Sequence, residues 1–138
     1  MVGCRGGNPN CPETVGPDHD FGSPLILRTL PANRDILVPG QKSGVAFGLD
    51  PDREGAVLWQ FRAGQGGPLG GIEWGMAADD ERVYVPLSDV LRPAPESGGL
   101  FALRLTDGTK VWHTPPPPPA CVQGRPCTAA QSAAISVI

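Results

Sequence analysis

Two stretches decide the fold. The first reads Gly44-Val-Ala-Phe-Gly-Leu-Asp50-Pro-Asp-Arg-Glu-Gly55-Ala-Val-Leu-Trp59 and the second Gly98-Gly-Leu-Phe-Ala-Leu-Arg104-Leu-Thr-Asp107-Gly108-Thr-Lys-Val-Trp112. Phe47 matches Phe101, Leu49 matches Leu103, Gly55 matches Gly108 and Trp59 matches Trp112, with one residue less in the second turn. Upstream, Asp20-Phe21-Gly22-Ser23 pairs with Glu73-Trp74-Gly75-Met76, and Asp35-Ile-Leu-Val-Pro-Gly40 resembles Arg82-Val-Tyr-Val-Pro-Leu87. Self-similarity at a fixed period near fifty residues marks a repeat architecture.

Each unit parses into four strands: residues 23–28, 35–38, 45–49 and 57–61, then 76–78, 82–87, 100–105 and 110–113. The third and fourth strands of each unit join through Asp/Gly turns that favour tight reversal. Residues 132–138 read as the opening strand of a third unit. A four-stranded antiparallel sheet repeated at this period predicts an all-β chain, a β-propeller fragment of about two blades. A single sandwich of eight strands is the competing parse, but it gives no reason for a turn-plus-Trp to recur in register. The expected division is 1–22 as a disulfide loop and lead-in, 23–63 as the first blade, and 64–75 as a Gly-rich connection. The second blade follows at 76–114, then a Pro-rich arm with a second disulfide loop at 115–131, and the start of a further blade at 132–138.

Composition agrees. The 138 residues include 19 Gly and 17 Pro, placed so that they bracket short apolar runs. They interrupt the chain too often for a long amphipathic helix. With 11 Lys and Arg against 14 Asp and Glu the net charge is −3. The basic residues form no concentrated face, so nucleic acid is not an expected partner. No apolar run reaches the length of a membrane span, and the first residues lack the pattern of a secretion signal. Both ends look cut, as a piece of a longer protein would.

The four cysteines form two close pairs, Cys4 with Cys11 and Cys121 with Cys127, each in a loop rich in Gly, Pro or Asn. Neither spacing is a zinc knuckle. Two local disulfides are expected, each contributing roughly 2–3 kcal/mol in the chain-entropy model. They imply an oxidising compartment, periplasmic or secreted. The run Gly64-Gln-Gly-Gly-Pro-Leu-Gly-Gly71 superficially looks like a phosphate cradle, but such loops open a helix and none follows. The five prolines at 115–119 form a stiff polyproline spacer, read as an arm bridging blades.

The blade ending, with Gly-Leu-Asp-Pro-Asp, then Gly, then Val-Leu-Trp, resembles the tryptophan-docking blade of the pyrroloquinoline-quinone (PQQ) alcohol dehydrogenases. Three interior motifs are similar to the polyvinyl-alcohol type within that group. They are Asn10-Cys11-Pro12-Glu13 with Gly16-Pro17-Asp18-His19-Asp20-Phe21-Gly22-Ser23, Gly40-Gln41-Lys42-Ser43-Gly44, and Gly70-Gly71-Ile72-Glu73-Trp74-Gly75. The resemblance implies an eight-bladed ring with PQQ and calcium at its axis, of which this chain supplies about two blades. It implies oxidation of a small or polymeric alcohol, with a carboxylate taking the hydroxyl proton and electrons leaving to cytochrome c. Calcium acts there as a Lewis acid.

By this resemblance Lys42 stands where the family has a cation that contacts the quinone oxygens, a position where fixed positive charge stabilises developing negative charge. Glu73 stands where the family has an amide that contacts the cofactor, and Trp74 is off the docking register and expected to face the axis. The calcium ligands and the base fall mainly in earlier blades, on no residue carried over here. Asp18 and Asp20 flank His19 and are further candidates for metal or proton transfer, against a plain role in turn hydrogen bonds. His113 is expected to be solvated on an outer strand. The competing class is a non-catalytic propeller of the same repeat, serving as an interaction or assembly scaffold.

Overall fold

The computed structural model describes Pro9, Cys11, Thr14, residues 16–119 and residues 127–138. Its elements are β1 (Ile26–Leu30), β2 (Arg34–Val38), β3 (Val45–Asp50), a 3-10 turn at Pro51–Arg53, β4 (Ala56–Arg62), β5 (Ala77–Ala78), β6 (Arg82–Ser88), β7 (Gly98–Arg104) and β8 (Lys110–Thr114). They form two antiparallel meanders, β1-β2-β3-β4 and β5-β6-β7-β8. These are the two expected blades.

The repeat holds in the hydrogen-bond register. Gly48 lies opposite Trp59 and a bulge follows before Leu49. Ala102 lies opposite Trp112 and a bulge follows before Leu103. The turns differ as their lengths require. In the first, Asp50 accepts the Asp52 N–H at 3.0 Å and caps the short 3-10 turn. In the second, Asp107 accepts the Thr109 N–H at 2.8 Å, and Gly108 takes φ 70°, a left-handed conformation that costs glycine least.

A single apolar cluster fills the space between the sheets: Ile36, Val38, Ala46 and Trp59 from one side, and Val83, Val85, Phe101, Leu103 and Leu105 from the other. Trp59 joins them. Its indole lies over Gly48 on its own blade and against Gly108 on the next, where a Cβ would come within 2.3 and 2.6 Å of the ring. Its N–H donates to the Leu105 carbonyl at 2.9 Å. The indole thereby buries its body and satisfies its polar atom in one placement. Trp112 holds the equivalent strand position but meets the Tyr84 ring at a tilt, with centroids 5.9 Å apart, and is 37% exposed against 7% for Trp59.

One reading of the repeat is corrected. The match of residues 35–40 to 82–87 is out by one. Leu37 pairs with Leu49 and Val83 with Leu103, so Leu37 and Val83 are the equivalent residues. A one-residue slip exchanges the faces of a strand. Ile36 and Val83 look alike because both are wholly buried in the shared core, which they enter from opposite faces of their blades.

Two strand expectations also change. The first strand begins at Ile26, not residue 23, because Pro24 has no N–H for the ladder and the Ser23 hydroxyl turns to the Gly40 carbonyl at 3.4 Å. Residues 132–138 form no strand. The segment rests instead on the second blade, near Tyr84, Leu100 and Trp112. His113 is exposed but stacks on Phe101 at 4.1 Å. Among the described residues no helix is long and apolar enough to cross a membrane.

Candidate functional site

Three connections meet at one end of the two sheets. Residues 16–25 lead into β1, residues 39–44 join β2 to β3, and residues 63–76 carry the chain from β4 to β5. The middle connection is a tight turn in which the Gln41 N–H donates to the Val45 carbonyl and the Gly44 N–H to the Gln41 carbonyl. Its neighbours clamp it through backbone. The Lys42 N–H donates to the Asp20 carbonyl at 3.0 Å, while the Gly67 and Ile72 N–H groups donate to the Lys42 and Gln41 carbonyls at 3.0 and 3.1 Å.

This clamp brings together four of the residues singled out in the sequence. The Lys42 ammonium lies 3.1 Å from Asp20, 3.8 Å from Asp18 and 3.9 Å from Glu73. One cation therefore faces three carboxylates. The Asp20 hydrogen bond holds the Lys42 pKa above the ordinary lysine value, opposed by burial and aided by the charges of Asp18, Asp20 and Glu73. The Lys42 side chain is 13% exposed and that of Asp20 is 62% exposed, so Asp20 is the member most open to an incoming group.

Trp74 follows Glu73 and lies outside the core. It is 47% exposed, and its indole N–H donates to the Ser88 hydroxyl at 3.1 Å. Ser88 in turn shares a 2.9 Å hydrogen bond with Ser132. A fixed, half-open aromatic surface thus stands next in sequence to a charged cluster. Among the described residues no group of three or more His, Cys, Asp and Glu is arranged to hold a metal ion. No described cysteine is free, but Cys4 and Cys121 lie outside the described residues, so the two pairings remain expectations.

One residue escaped the sequence reading. Asp89, just after β6, is 3% exposed, and its carboxylate accepts the N–H groups of Gln65, Gly66 and Gly71. The Gly-rich run does turn its amides toward an anion, one that the chain itself supplies. The available signal was an acid directly following an apolar strand, with a run of glycines upstream.

No protein-family model matches the chain. It is 46% identical over 121 residues to a polyvinylalcohol dehydrogenase from a Pseudomonas species, covering 88% of this chain and 19% of that protein. It is 42% identical over 106 residues to a polyvinylalcohol dehydrogenase from Sphingopyxis sp. (strain 113P3), covering 75% of this chain and 16% of that protein. The chain thus spans less than a fifth of the length of these relatives. With the repeated blades and the motifs around Lys42, this identity makes the chain a relative of the polyvinylalcohol dehydrogenases.

Proposed function

We propose that the chain supplies two blades and part of the reaction site of a PQQ-dependent alcohol dehydrogenase acting on a hydroxyl-bearing polymer or a small alcohol. The observation that carries this reading is the Lys42 ammonium, fixed among Asp18, Asp20 and Glu73 at the end of the sheets where the connections converge. When bound, PQQ supplies an ortho-quinone that accepts a hydride from the alcohol carbon.

The residues present fit the quinone end of that cofactor. An ammonium has three N–H donors, and among the described residues Asp20 alone lies within hydrogen-bond distance of the Lys42 ammonium. Lys42 can therefore donate to a quinone oxygen as well. Asp18 and Glu73 keep the ammonium charged. Glu73, at a position where the family carries an amide, is compatible with an anionic ligand because Lys42 stands beside it. The cofactor carboxylates need cations from elsewhere, since three carboxylates already surround the one ammonium.

Asp20, the open carboxylate, is assigned to take the hydroxyl proton of the alcohol as the hydride leaves, the role of a general base. Asp20 is, with Asp18, one of the two carboxylates that the sequence marked as candidates for proton transfer. Trp74 offers a flat apolar surface for a ring or a polymer backbone. Calcium, the other blades and an electron acceptor such as cytochrome c complete the system, in the oxidising compartment that the expected disulfides imply.

In the full-length gene product reconstituted with PQQ and calcium, Lys42→Ala abolishes dye-linked alcohol oxidation, while Lys42→Arg retains part of it. Activity that is unchanged in Lys42→Ala removes the assignment and favours the scaffold class.

A further inference from the structure

We propose that Asp89 is a positioning residue for Lys42, acting through the Gly-rich connection that lies between them. Asp89 is fixed at its own backbone, where its N–H donates to the Ser97 carbonyl at 2.8 Å and its carbonyl accepts the Arg92 N–H at 2.9 Å. From this anchored base the carboxylate takes the Gln65 N–H at 2.9 Å, the Gly66 N–H at 3.1 Å and the Gly71 N–H at 2.8 Å. Amide bonds to a carboxylate are among the stronger hydrogen bonds.

The same connection wraps the carbonyl of Lys42. Gly67 donates to it, and at Gly66 and Gly71 an added Cβ would stand 2.2 Å from that oxygen. Two residues beyond Gly71 the connection delivers Glu73 to the Lys42 ammonium. Asp89 thus gathers both ends of the loop that closes on Lys42. Without the anion, three amides directed inward lose their acceptor, and a buried donor without a partner costs free energy that the loop recovers by opening.

A role in blade architecture alone does not account for this. Carrying the register forward from Gly40 opposite Ala46 and Pro86 opposite Leu100 places Asp89 at the position held by Ser43 in the first blade. Among the described residues the Ser43 hydroxyl bonds only locally, donating to the Gln41 side chain. The repeat therefore builds a blade without an acid here, and the acid occurs in the blade whose connection embraces Lys42.

The inference depends on the dehydrogenase reading only for its consequence in catalysis, and its test uses the chain with no cofactor present. NMR titration of the Lys42 side chain and amide hydrogen exchange are followed in wild type and in Asp89→Asn, with the β6–β7 amides as a control for the fold. In Asp89→Asn the protection of the Gln65, Gly66 and Gly71 amides falls roughly tenfold or more, the loss of about one hydrogen bond. The Lys42 midpoint then moves down toward the ordinary lysine value. A Lys42 midpoint that stays in place while those amides loosen overturns the proposal. Where Asp89→Asn does not fold, Gly66→Ala disturbs the same contact from the other side. It is expected to lower the Lys42 midpoint, and an unmoved midpoint overturns the proposal equally. Either result is independent of whether Lys42→Ala abolishes alcohol oxidation.

Discussion

Lys42 and Asp79 show how single charges are tuned by the connections that hold them. The Lys42 pKa is raised above 10.5, first by the Asp20 hydrogen bond. A cation with a raised folded pKa contributes its full stability below the unfolded value and loses it as pH rises through the folded one. The Lys42 ammonium therefore stays charged and paired at neutral pH, and the share of stability that its raised pKa contributes is lost as pH climbs above about 10.5. Asp79 behaves in the opposite sense. Its carboxylate accepts the Tyr84 hydroxyl at 2.6 Å and the Glu81 and Arg82 N–H groups, and its pKa falls below 3.8, chiefly through Tyr84. Its stabilising share is present above pH 3.8 and lost as pH falls through the lower folded value. In Tyr84→Phe the Asp79 midpoint, read from carboxyl NMR shifts, rises toward 3.8, and stability at neutral pH falls by about 1–2 kcal/mol. An Asp79 midpoint that does not move shows that the backbone amides alone set it.

At the scale of the elements, the docking of Trp59 separates the two blade turns. Gly55 and Gly108 are both left-handed, at φ 75° and 70°, and carry similar backbone strain when replaced. A Cβ at Gly55 meets nothing within 4 Å, whereas one at Gly108 meets the Trp59 ring at 2.6 Å. Gly108→Ala is therefore expected to destabilise more than Gly55→Ala, by about 1–3 kcal/mol in urea unfolding. Equal losses in the two variants would mean that the indole moves aside at no cost. Trp59→Ala is expected to cost about 3–5 kcal/mol, and Trp112→Ala much less, since Trp112 is partly exposed where Trp59 is buried. The strands, turns and docking tryptophans were legible because Asp, Gly and Trp recur at fixed offsets. The register of β2 was not. Alternating apolar residues report which side chains are buried but not from which face, and Ile36 and Val83 meet in one core from opposite sides. Residues 132–138 carry a strand-like pattern without a ladder, because propensity alone does not supply a neighbour.

At the scale of the molecule, the cluster around Lys42 was legible through its motifs, while Asp89 was not, because its partners are backbone amides that carry no side-chain signature. The outward face of the first sheet is apolar along one line of neighbours, Leu27, Leu37, Leu49 and Val57, with Leu27 and Val57 exposed. A row of this kind suits further packing more than water, in keeping with a chain that spans less than a fifth of its relatives. The cysteine pairs make a prediction at this scale too. Alkylation without reduction is expected to label none of the four cysteines, and peptide mapping to link Cys4 to Cys11 and Cys121 to Cys127; labelled thiols would remove the argument for an oxidising compartment.

Asp18, Asp20, Lys42 and Glu73 are all borne by connections and none by a strand. Inheritance can therefore act on the two separately. Substitutions that change which reactant is accepted can accumulate at the rim while the ladders beneath stay under their own selection, so a library randomised at those loops should yield folded variants far more often than one randomised in β2 or β6.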